Sequence, residues 1–118
     1  MQEIFEMAER LGQSLARTDE YQTLKRAIEA SGDDRDLAKL QSEIQELEQK
    51  MGSQLRGGAQ PTEEQANEYE AFYSRLQANS SYQRLVAAQA NFDKVVTRVN
   101  DTIHKGIQKG AASRIILT

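Results

Sequence analysis

The chain has 118 residues, with 15 Lys and Arg against 18 Asp and Glu, so its formal net charge is −3. A chain of this length forms one ordinary domain, and its mildly acidic balance gives no overall electrostatic attraction for nucleic acid. It has no cysteine, which excludes disulfides, thiolate metal sites and a thiol nucleophile. Its one histidine, His104, cannot form a two-histidine metal site within one chain. The sequence therefore predicts a protein with no catalytic site, no metal and no cofactor.

Two helices are predicted at the start of the chain. Apolar residues three or four positions apart share one face of a helix over about residues 2 to 16. These residues are Ile4, Ala8, Leu11 and Leu15. Thr18 and Asp19 can accept hydrogen bonds from free backbone N–H groups, so a second, short helix is expected to begin there. Ser31-Gly32 is expected to end it.

A longer third helix is predicted from about residue 33 to 56. Asp33 and Asp34 supply a cap and a negative charge at the positive end of its dipole. Its apolar residues alternate spacings of three and four, the heptad pattern of helices that pair. They are Leu37, Leu40, Ile44, Leu47 and Met51. Two glycines and the only proline follow, so the segment 57–61 is predicted to link two helical halves, 1–56 and 62–105.

Two further helices are predicted after this linker. Thr62 with Gln65 has the pattern of a capping box, which opens a fourth helix that ends near Ala78. Ser80 with Gln83 repeats the pattern and opens a fifth helix. The fifth helix carries the longest heptad stripe of the chain, which includes Phe92, Val96, Val99 and Ile103.

The C-terminal segment 106–118 contains two glycines, which argue against a rigid helix through it. It has no acidic residue, and one basic residue comes directly before an apolar, β-prone run. These four residues are Arg114, Ile115, Ile116 and Leu117. Three interpretations stay open: the run folds back and completes the core, it docks on a partner protein, or the basic residues contact phosphate.

The two halves of the chain match each other at a constant offset, by which Leu15 aligns with Leu76. Residues 15–24 and 76–85 both read Leu, two residues, Thr or Asn, two residues, Tyr-Gln, one residue, Leu. Each copy is predicted to be a break between two helices. Either helix-capping chemistry produced the match by convergence, or a helical unit was duplicated.

Several segments carry a wider pattern. They are the phrase Tyr21-Gln22-x-Leu24-x-x-Ala27, the heptad helix that ends before a Gly-Pro loop, the phrase Val99-Asn100-Asp101-Thr102-Ile103, and the stretch from Val95 to Ala112. In their order and length these segments resemble the YlbF/YmcA family of small bacterial helical proteins, over nearly the whole chain. The resemblance implies an all-helical, self-associating regulator without enzymatic activity of its own.

The same resemblance implies a biological setting. Related members act together in a complex that assists the endoribonuclease Y in messenger RNA processing and influences competence, sporulation and biofilm decisions. Some of those members hold iron–sulfur clusters on cysteines. This property is not implied here, because the chain has no cysteine.

The predicted fold is all-α: a mostly antiparallel bundle of about five helices in a single domain, residues 1–118, with two long heptad-patterned helices. The third and fifth helices are expected to pair along their stripes, and the first, second and fourth helices to cover them. The small core predicts self-association as a homo-oligomer. The candidate residues for self-association or partner binding are Leu37, Leu40, Ile44, Leu47, Met51, Phe92, Val96, Val99, Ile103, Arg114, Ile115, Ile116 and Leu117.

The predicted function is a non-enzymatic regulatory adaptor that binds protein partners, which the resemblance makes an endoribonuclease or family paralogues. One alternative is a small nucleic-acid-binding protein that uses Arg98, Lys105, Lys109 and Arg114, although the acidic composition weighs against direct binding. Another is a purely structural helical oligomer. The N-terminal residues are acidic where a signal peptide is basic, and no apolar run reaches the roughly 18 residues of a membrane span. The expected location is therefore the cytoplasm, without membrane contact.

Overall fold

The computed structural model describes the backbone of residues 1–117 and the side chains of residues 1–112. This part of the chain is all-α, with five helices and no strand. In chain order the helices are α1 (Gln2–Ala16), α2 (Asp19–Asp33), α3 (Arg35–Arg56), α4 (Glu63–Ala78) and α5 (Ser80–Leu117). The all-α fold predicted from the sequence is confirmed.

Two helices begin at the capping residues that the sequence indicated. Asp34 caps α3, because its Oδ1 accepts a hydrogen bond from the Leu37 N–H at 3.0 Å. Thr62 caps α4: its Oγ1 accepts from the Gln65 N–H at 3.1 Å, while Gln65 Oε1 accepts from the Thr62 N–H at 3.0 Å. The reciprocal capping box at Thr62 is confirmed. In the loop before it, Gly58 has a φ of 86°, in the left-handed region that favours glycine.

The break between α1 and α2 depends on two side chains. Thr18 Oγ1 accepts a hydrogen bond from the Tyr21 N–H at 3.2 Å and so caps the start of α2. The Gln22 side chain donates to the Ala16 carbonyl at 2.8 Å. This carbonyl belongs to the last turn of α1, where the helix provides no partner for it. Thr18 therefore provides a hydrogen-bond partner for a free N–H at the start of α2, and Gln22 provides one for a free carbonyl at the end of α1.

The break between α4 and α5 repeats these bonds at the matching positions of the second half. Asn79 Oδ1 accepts from the Tyr82 N–H at 2.9 Å, and the Gln83 side chain donates to the Gln77 carbonyl at 2.7 Å. The predicted capping box of Ser80 with Gln83 is therefore wrong. Asn79 is the cap of α5, and Gln83 reaches back to the end of α4, as its counterpart does in the first half.

Two helix ends differ from the prediction. α2 continues through Ser31-Gly32 to Asp33. α5 runs through Gly106 and Gly110 to Leu117, so the expected end of the helix near residue 105 is wrong. Glycine costs a helix about 1 kcal/mol relative to alanine, which weakens a helix without ending it. Glutamine, lysine and alanine surround these glycines and are strong helix formers.

The helices fall into two compact units. One unit comprises residues 25–87, with the end of α2, all of α3 and α4, and the start of α5. The other unit comprises residues 1–24 and α5 from residue 88 onward. That the whole chain is one domain stays a prediction.

The unit of residues 25–87 is built on α3 and α4, which pack against each other. Three leucine or isoleucine residues of α3 form a buried cluster with Leu76 of α4. They are Leu37, Leu40 and Ile44, and the partly buried rings of Tyr69, Phe72, Tyr73 and Tyr82 pack against them. The expected pairing of α3 with α5 along their stripes is wrong. The short loop after Arg56 brings α4 back along α3, and rings from α4 cover the α3 stripe.

The unit of residues 1–24 and 88 onward has a smaller interior. Only Leu24 and Ala88 are buried among those of its side chains that the structure describes. The Tyr21 ring packs edge-on against Phe92, with centroids 5.2 Å apart, and so joins the start of α2 to α5. α1 buries no residue. The expectation that α1 covers other helices is therefore wrong, and its apolar stripe lies at the surface.

Candidate interaction surface

α1 presents an exposed apolar face. Ile4, Phe5, Met7 and Leu11 each expose between 38% and 64% of their surface, and Ala8 lies exposed among them. Single exposed apolar side chains are ordinary on a protein surface, whereas several on one helix indicate a contact surface. These five residues are named the α1 face.

The second half of α5 carries another exposed apolar stripe. Ile103 and Ile107 are 48% and 61% exposed, and Val96 and Val99 are half-buried in the turns before them. These four residues are named the α5 stripe. Of the ten large apolar side chains exposed in residues 1–112, seven lie in the unit that contains α1 and this part of α5. This unit therefore exposes large apolar side chains, whereas the other unit packs side chains of this kind into a core.

The two helices that present these faces carry opposite charges on their other sides. Residues 2–9 of α1 contain three glutamates and no basic residue. Residues 102–112 of α5 contain two lysines and no acidic residue. Charges at such exposed positions are screened by salt, so they direct and orient association more than they strengthen it.

The face of α4 at the positions that match the α1 stripe packs against α3. Two tyrosines at the edge of this face approach a glutamate of α3 with their hydroxyl groups. The Tyr69 hydroxyl donates to Glu48 Oε1 at 2.9 Å, and the Tyr73 hydroxyl lies 3.4 Å from the same oxygen. Hydrogen bonding with Tyr73, followed by that with the Glu48 carboxylate, raises the pKa of Tyr69 above its ordinary value. The Tyr69 hydroxyl therefore stays protonated at neutral pH and acts as a structural donor between α3 and α4.

A second polar link lies at the other end of the α3–α4 pair. Asn79 Nδ2 donates to Asp34 Oδ2 at 3.3 Å, which ties the start of α3 to the break after α4. The hydrogen bond from the Leu37 N–H, and next the one from the Ser81 side chain, lower the pKa of Asp34. With Glu48 and Tyr69 at the opposite end, this link shows that α3 and α4 run antiparallel.

Four of the predicted partner-binding residues lie in the core of a single chain. Leu37, Leu40, Ile44 and Leu47 expose at most 7% of their surface, and Met51 is half-buried on the same stripe. They hold α3 to the rest of its unit and are not available to another molecule. The heptad spacing is the same whether a helix packs within its chain or against a second one. The sequence alone could not separate the two cases.

The other predicted residues lie along α5. Phe92 is half-buried against Tyr21, and exposure rises along the helix from Val96 to Ile103. The backbone is helical at the last four candidates, and their side chains lie outside the described residues. These four are Arg114, Ile115, Ile116 and Leu117.

Sequence reasoning missed the most exposed part of this surface. It assigned Ile4 and Leu11 to a helix that covers others, and it gave no role to Phe5, Met7 or Ile107. One signal could have found the α1 face. At the offset that aligns the two halves, the stripe of α1 matches the face that α4 packs against α3, which marks this stripe as a helix-packing surface.

The side chains of residues 1–112 also include polar grooves. One of about 480 Å³ lies between α3 and α4 and is lined by Asp36, Lys39 and Arg75, which mix both signs of charge. No three His, Asp or Glu side chains in this range lie close enough to hold a metal ion together. Within the same range, no helix has both the length and the apolar content to cross a lipid bilayer.

Comparison with known proteins gives one family and several relatives. The family model described as "Control of competence regulator ComK, YlbF/YmcA" matches residues 4–108. A UPF0342 protein of Leuconostoc mesenteroides subsp. mesenteroides is 25% identical over 104 residues, which is 88% of this chain and 89% of that protein. A UPF0342 protein of Streptococcus mutans is 25% identical over 105 residues, or 89% and 93% of the two chains.

A solved structure has the same fold. It is described as a protein of unknown function (DUF964) from Bacillus stearothermophilus. It matches with a TM-score of 0.61 at 18% sequence identity and covers 89% of this chain and 92% of its own. At this identity the likeness shows the fold alone.

The five helices and the matching solved structure define a small all-α protein. Because the family model covers most of the chain, the protein belongs to the YlbF/YmcA family. The resemblance predicted from the sequence is confirmed. The family description is a regulatory one, and neither it nor the names of the two relatives state an enzymatic activity.

Proposed function

We propose that this protein is a regulatory adaptor, without enzymatic activity of its own, that binds protein partners through the apolar surface of α1 and α5. The observation that carries this proposal is the α1 face. A complete helix of 15 residues has an apolar face and buries no residue. A contiguous apolar surface of this kind on a folded protein indicates an interaction site.

The family supports a regulatory role. Its description names control of the competence regulator ComK, and control of a regulator by a protein without chemistry of its own requires binding. The partners we propose are an endoribonuclease of the RNA-processing machinery or paralogues of the same family. The proposed location is the cytoplasm, where messenger RNA is processed in bacteria.

Affinity capture from a lysate of the native cell tests this proposal. The tagged full-length chain is the bait, with and without ribonuclease treatment, and mass spectrometry identifies the captured proteins. We expect an endoribonuclease or family paralogues to be retained after ribonuclease treatment and lost with Phe5→Asp, which places a charge in the α1 face. The matched control is Ile28→Asp, because Ile28 is 53% exposed and lies in the other unit. The control variant is expected to retain the partners.

Two results would contradict the adaptor proposal. Equal capture by the native chain and by Phe5→Asp would place any partner away from the α1 face. Capture that depends entirely on RNA would favour the nucleic-acid alternative, in which Arg98, Lys105 and Lys109 contact phosphate. In that case affinity for RNA would fall steeply as salt rises, because counterions are released on binding.

A further inference from the structure

The second half of α5 carries a row of basic residues along one side of the helix. Lys94, Arg98, Lys105 and Lys109 follow one another at spacings of four, seven and four residues. Because an α-helix has 3.6 residues per turn, these spacings place all four on the same side. At a rise of 1.5 Å per residue, the row is about 22 Å long. These four residues are named the α5 basic row.

The basic row depends on the continuity of α5. The sequence predicted that this helix ends near residue 105, and Lys109 would then have no fixed position relative to the other three residues. The structure instead continues the helix through Gly106 and Gly110. Lys109 therefore lies one turn beyond Lys105 on the same side, and the row consists of two pairs of neighbouring cations.

The charges of the basic row are open to solvent and are not neutralised within the chain. All four residues are exposed, and no carboxylate in residues 1–112 forms an ion pair with any of them. Residues 94–112 contain these four basic residues and a single acid, Asp101. The segment is therefore positive although the whole chain carries −3. Because salt at about 0.1 M screens charges beyond about 10 Å, an approaching anion responds to the row more than to the net charge.

The basic row and the α5 stripe lie on different sides of the helix. Ile103 and Ile107 come two positions before Lys105 and Lys109. Two positions correspond to about 200° around an α-helix, so the isoleucines point nearly opposite to the lysines. A protein partner that covers the α5 stripe therefore leaves the basic row free for a second ligand.

The residues around the basic row favour a nucleic acid over a protein as this ligand. Residues 94–118 contain no Phe, Tyr or Trp, and the polar residues Thr102 and Gln108 border the row. A protein interface has an apolar core enriched in aromatic residues. A repeated row of cations without such a core matches instead the repeated phosphates of a nucleic acid backbone. Because no aromatic ring is present to stack on bases, the row contacts phosphate and does not read the sequence.

We propose that the α5 basic row binds RNA through its phosphate backbone, on the side of α5 that points away from the α5 stripe. The choice of RNA over DNA rests on the proposed function, because the endoribonuclease proposed there as a partner acts on RNA. A chain with these two surfaces holds a protein partner on its apolar side and RNA on its basic side. Binding of the RNA does not depend on its base sequence.

The salt dependence of binding tests this proposal. Fluorescence anisotropy measures the affinity of the purified full-length chain for short labelled single-stranded RNAs of two unrelated sequences. The logarithm of the affinity should fall with the logarithm of the salt concentration with a slope of about −2.8, because each of four phosphate contacts contributes about −0.7. The double variant Lys105→Gln, Lys109→Gln should halve this slope and weaken binding about tenfold at about 50 mM salt. Lys105→Arg with Lys109→Arg keeps the charges and should keep the native slope.

Asp101 gives a second test, in which a substitution should strengthen binding. Asp101→Asn removes the one negative charge from the segment with the row, so the affinity for RNA at low salt should rise about threefold. The matched control is Asp93→Asn, which removes the same charge from another side of α5 and should change the affinity less. A purely structural role of the basic residues would not produce this difference.

A control with Lys25→Gln and Lys50→Gln changes the net charge by the same amount as the lysine-to-glutamine pair on α5, at exposed positions in the other unit. It should bind RNA as the native chain does. Absence of binding at about 50 mM salt, or equal losses in the two pairs, would overturn the proposal. Competition by polyglutamate as effective as that by unlabelled RNA would assign the row to an acidic protein instead. Tighter binding of DNA of the same sequence would overturn the choice of RNA.

The two proposals fail in different measurements. Phe5→Asp should lose the protein partners and bind RNA as the native chain does. The pair Lys105→Gln, Lys109→Gln should lose affinity for RNA and retain the protein partners after ribonuclease treatment. A chain that binds RNA with the expected slope and captures no protein would overturn the adaptor proposal and support the basic row. A chain that captures the partners and binds no RNA would overturn the basic row alone.

Discussion

Leu37 is 1% exposed and lies at the centre of the cluster that joins α3 to α4. Leu37→Ala would remove buried methyl groups and leave a cavity that the neighbouring rings fill only in part. We expect it to lower the free energy of unfolding by about 2 to 5 kcal/mol. Urea denaturation followed by circular dichroism measures this change. The control is Leu55→Ala, at a position on α3 that is 52% exposed, where a loss above about 0.5 kcal/mol would contradict the assignment of the core.

Asp34 makes the stability of the α3–α4 pair depend on pH. Its folded-state pKa is lowered, first by the hydrogen bond from the Leu37 N–H. A group of this kind stabilises the folded state above its unfolded pKa, which is 3.8 for an unperturbed aspartate, and loses this contribution as the pH falls through the folded pKa. Asp34→Ala should therefore lower the melting temperature at pH 7.

The same difference should shrink as the pH falls below about 4, where the unfolded carboxylate begins to bind a proton, and it should be smallest once the folded carboxylate is protonated as well. Thermal melts of the native chain and of Asp34→Ala at a series of values from about pH 2 to about pH 7 check this, because the contribution is lost as the pH falls from the unfolded pKa through the lower folded pKa. A difference that stays constant over the series would show that the Asp34 charge does not stabilise the start of α3.

Glycines within and after α3 have opposite effects on that element. At Gly52, inside α3, a Cβ would meet nothing within 4 Å, whereas Gly58 after the helix has a φ of 86°. Gly52→Ala should stabilise the chain by about 0.5 to 1 kcal/mol, because it reduces the freedom of the unfolded chain. Gly58→Ala should destabilise it by about 1 to 2 kcal/mol, because alanine is strained in the left-handed region. Equal effects in urea denaturation would contradict this reading of the loop.

The sequence was sufficient to predict the helices and most of their ends. Local chemistry decides these features, as the caps at Asp34 and Thr62 show. At the second break it failed, because Ser80 and Asn79 are both good caps and only the three-dimensional hydrogen bonds select Asn79. It failed again at Gly106, where strong helix formers on both sides outweigh one glycine.

Which helices pair could not be predicted in the same way. The stripes that begin at Leu37 on α3 and at Val96 on α5 have the same spacing, yet the first is buried and the second is partly exposed. The difference arises because α4 follows α3 after a short loop and covers its stripe, whereas the end of the α5 stripe stays exposed. The candidate surface was therefore visible in the pattern of the sequence, but its exposure was not.

At the scale of the whole molecule, the two units divide the apolar residues unequally. The unit of residues 25–87 places its stripes in a core, and the unit with α1 has only Leu24 and Ala88 buried in its described part. A unit with so few buried side chains gains little stability from its own interior. Self-association through the α1 face would supply the apolar burial that this unit lacks, so we expect its stability to be linked to the self-association that the sequence predicts.

This linkage predicts a melting temperature that depends on protein concentration. Binding of a second copy to the folded state alone stabilises that state by mass action, so each tenfold increase in concentration should raise the melting temperature by about 3 °C. Ile103→Asp places a charge on the α5 stripe, and we expect its melting temperature to be lower and independent of concentration. Ile28→Asp, at an exposed position of the other unit, should keep the native dependence. Scanning calorimetry at a series of concentrations measures these slopes. A melting temperature of the native chain that does not change with concentration would contradict self-association. A concentration dependence that survives Ile103→Asp would place the contact between copies elsewhere than on the α5 stripe.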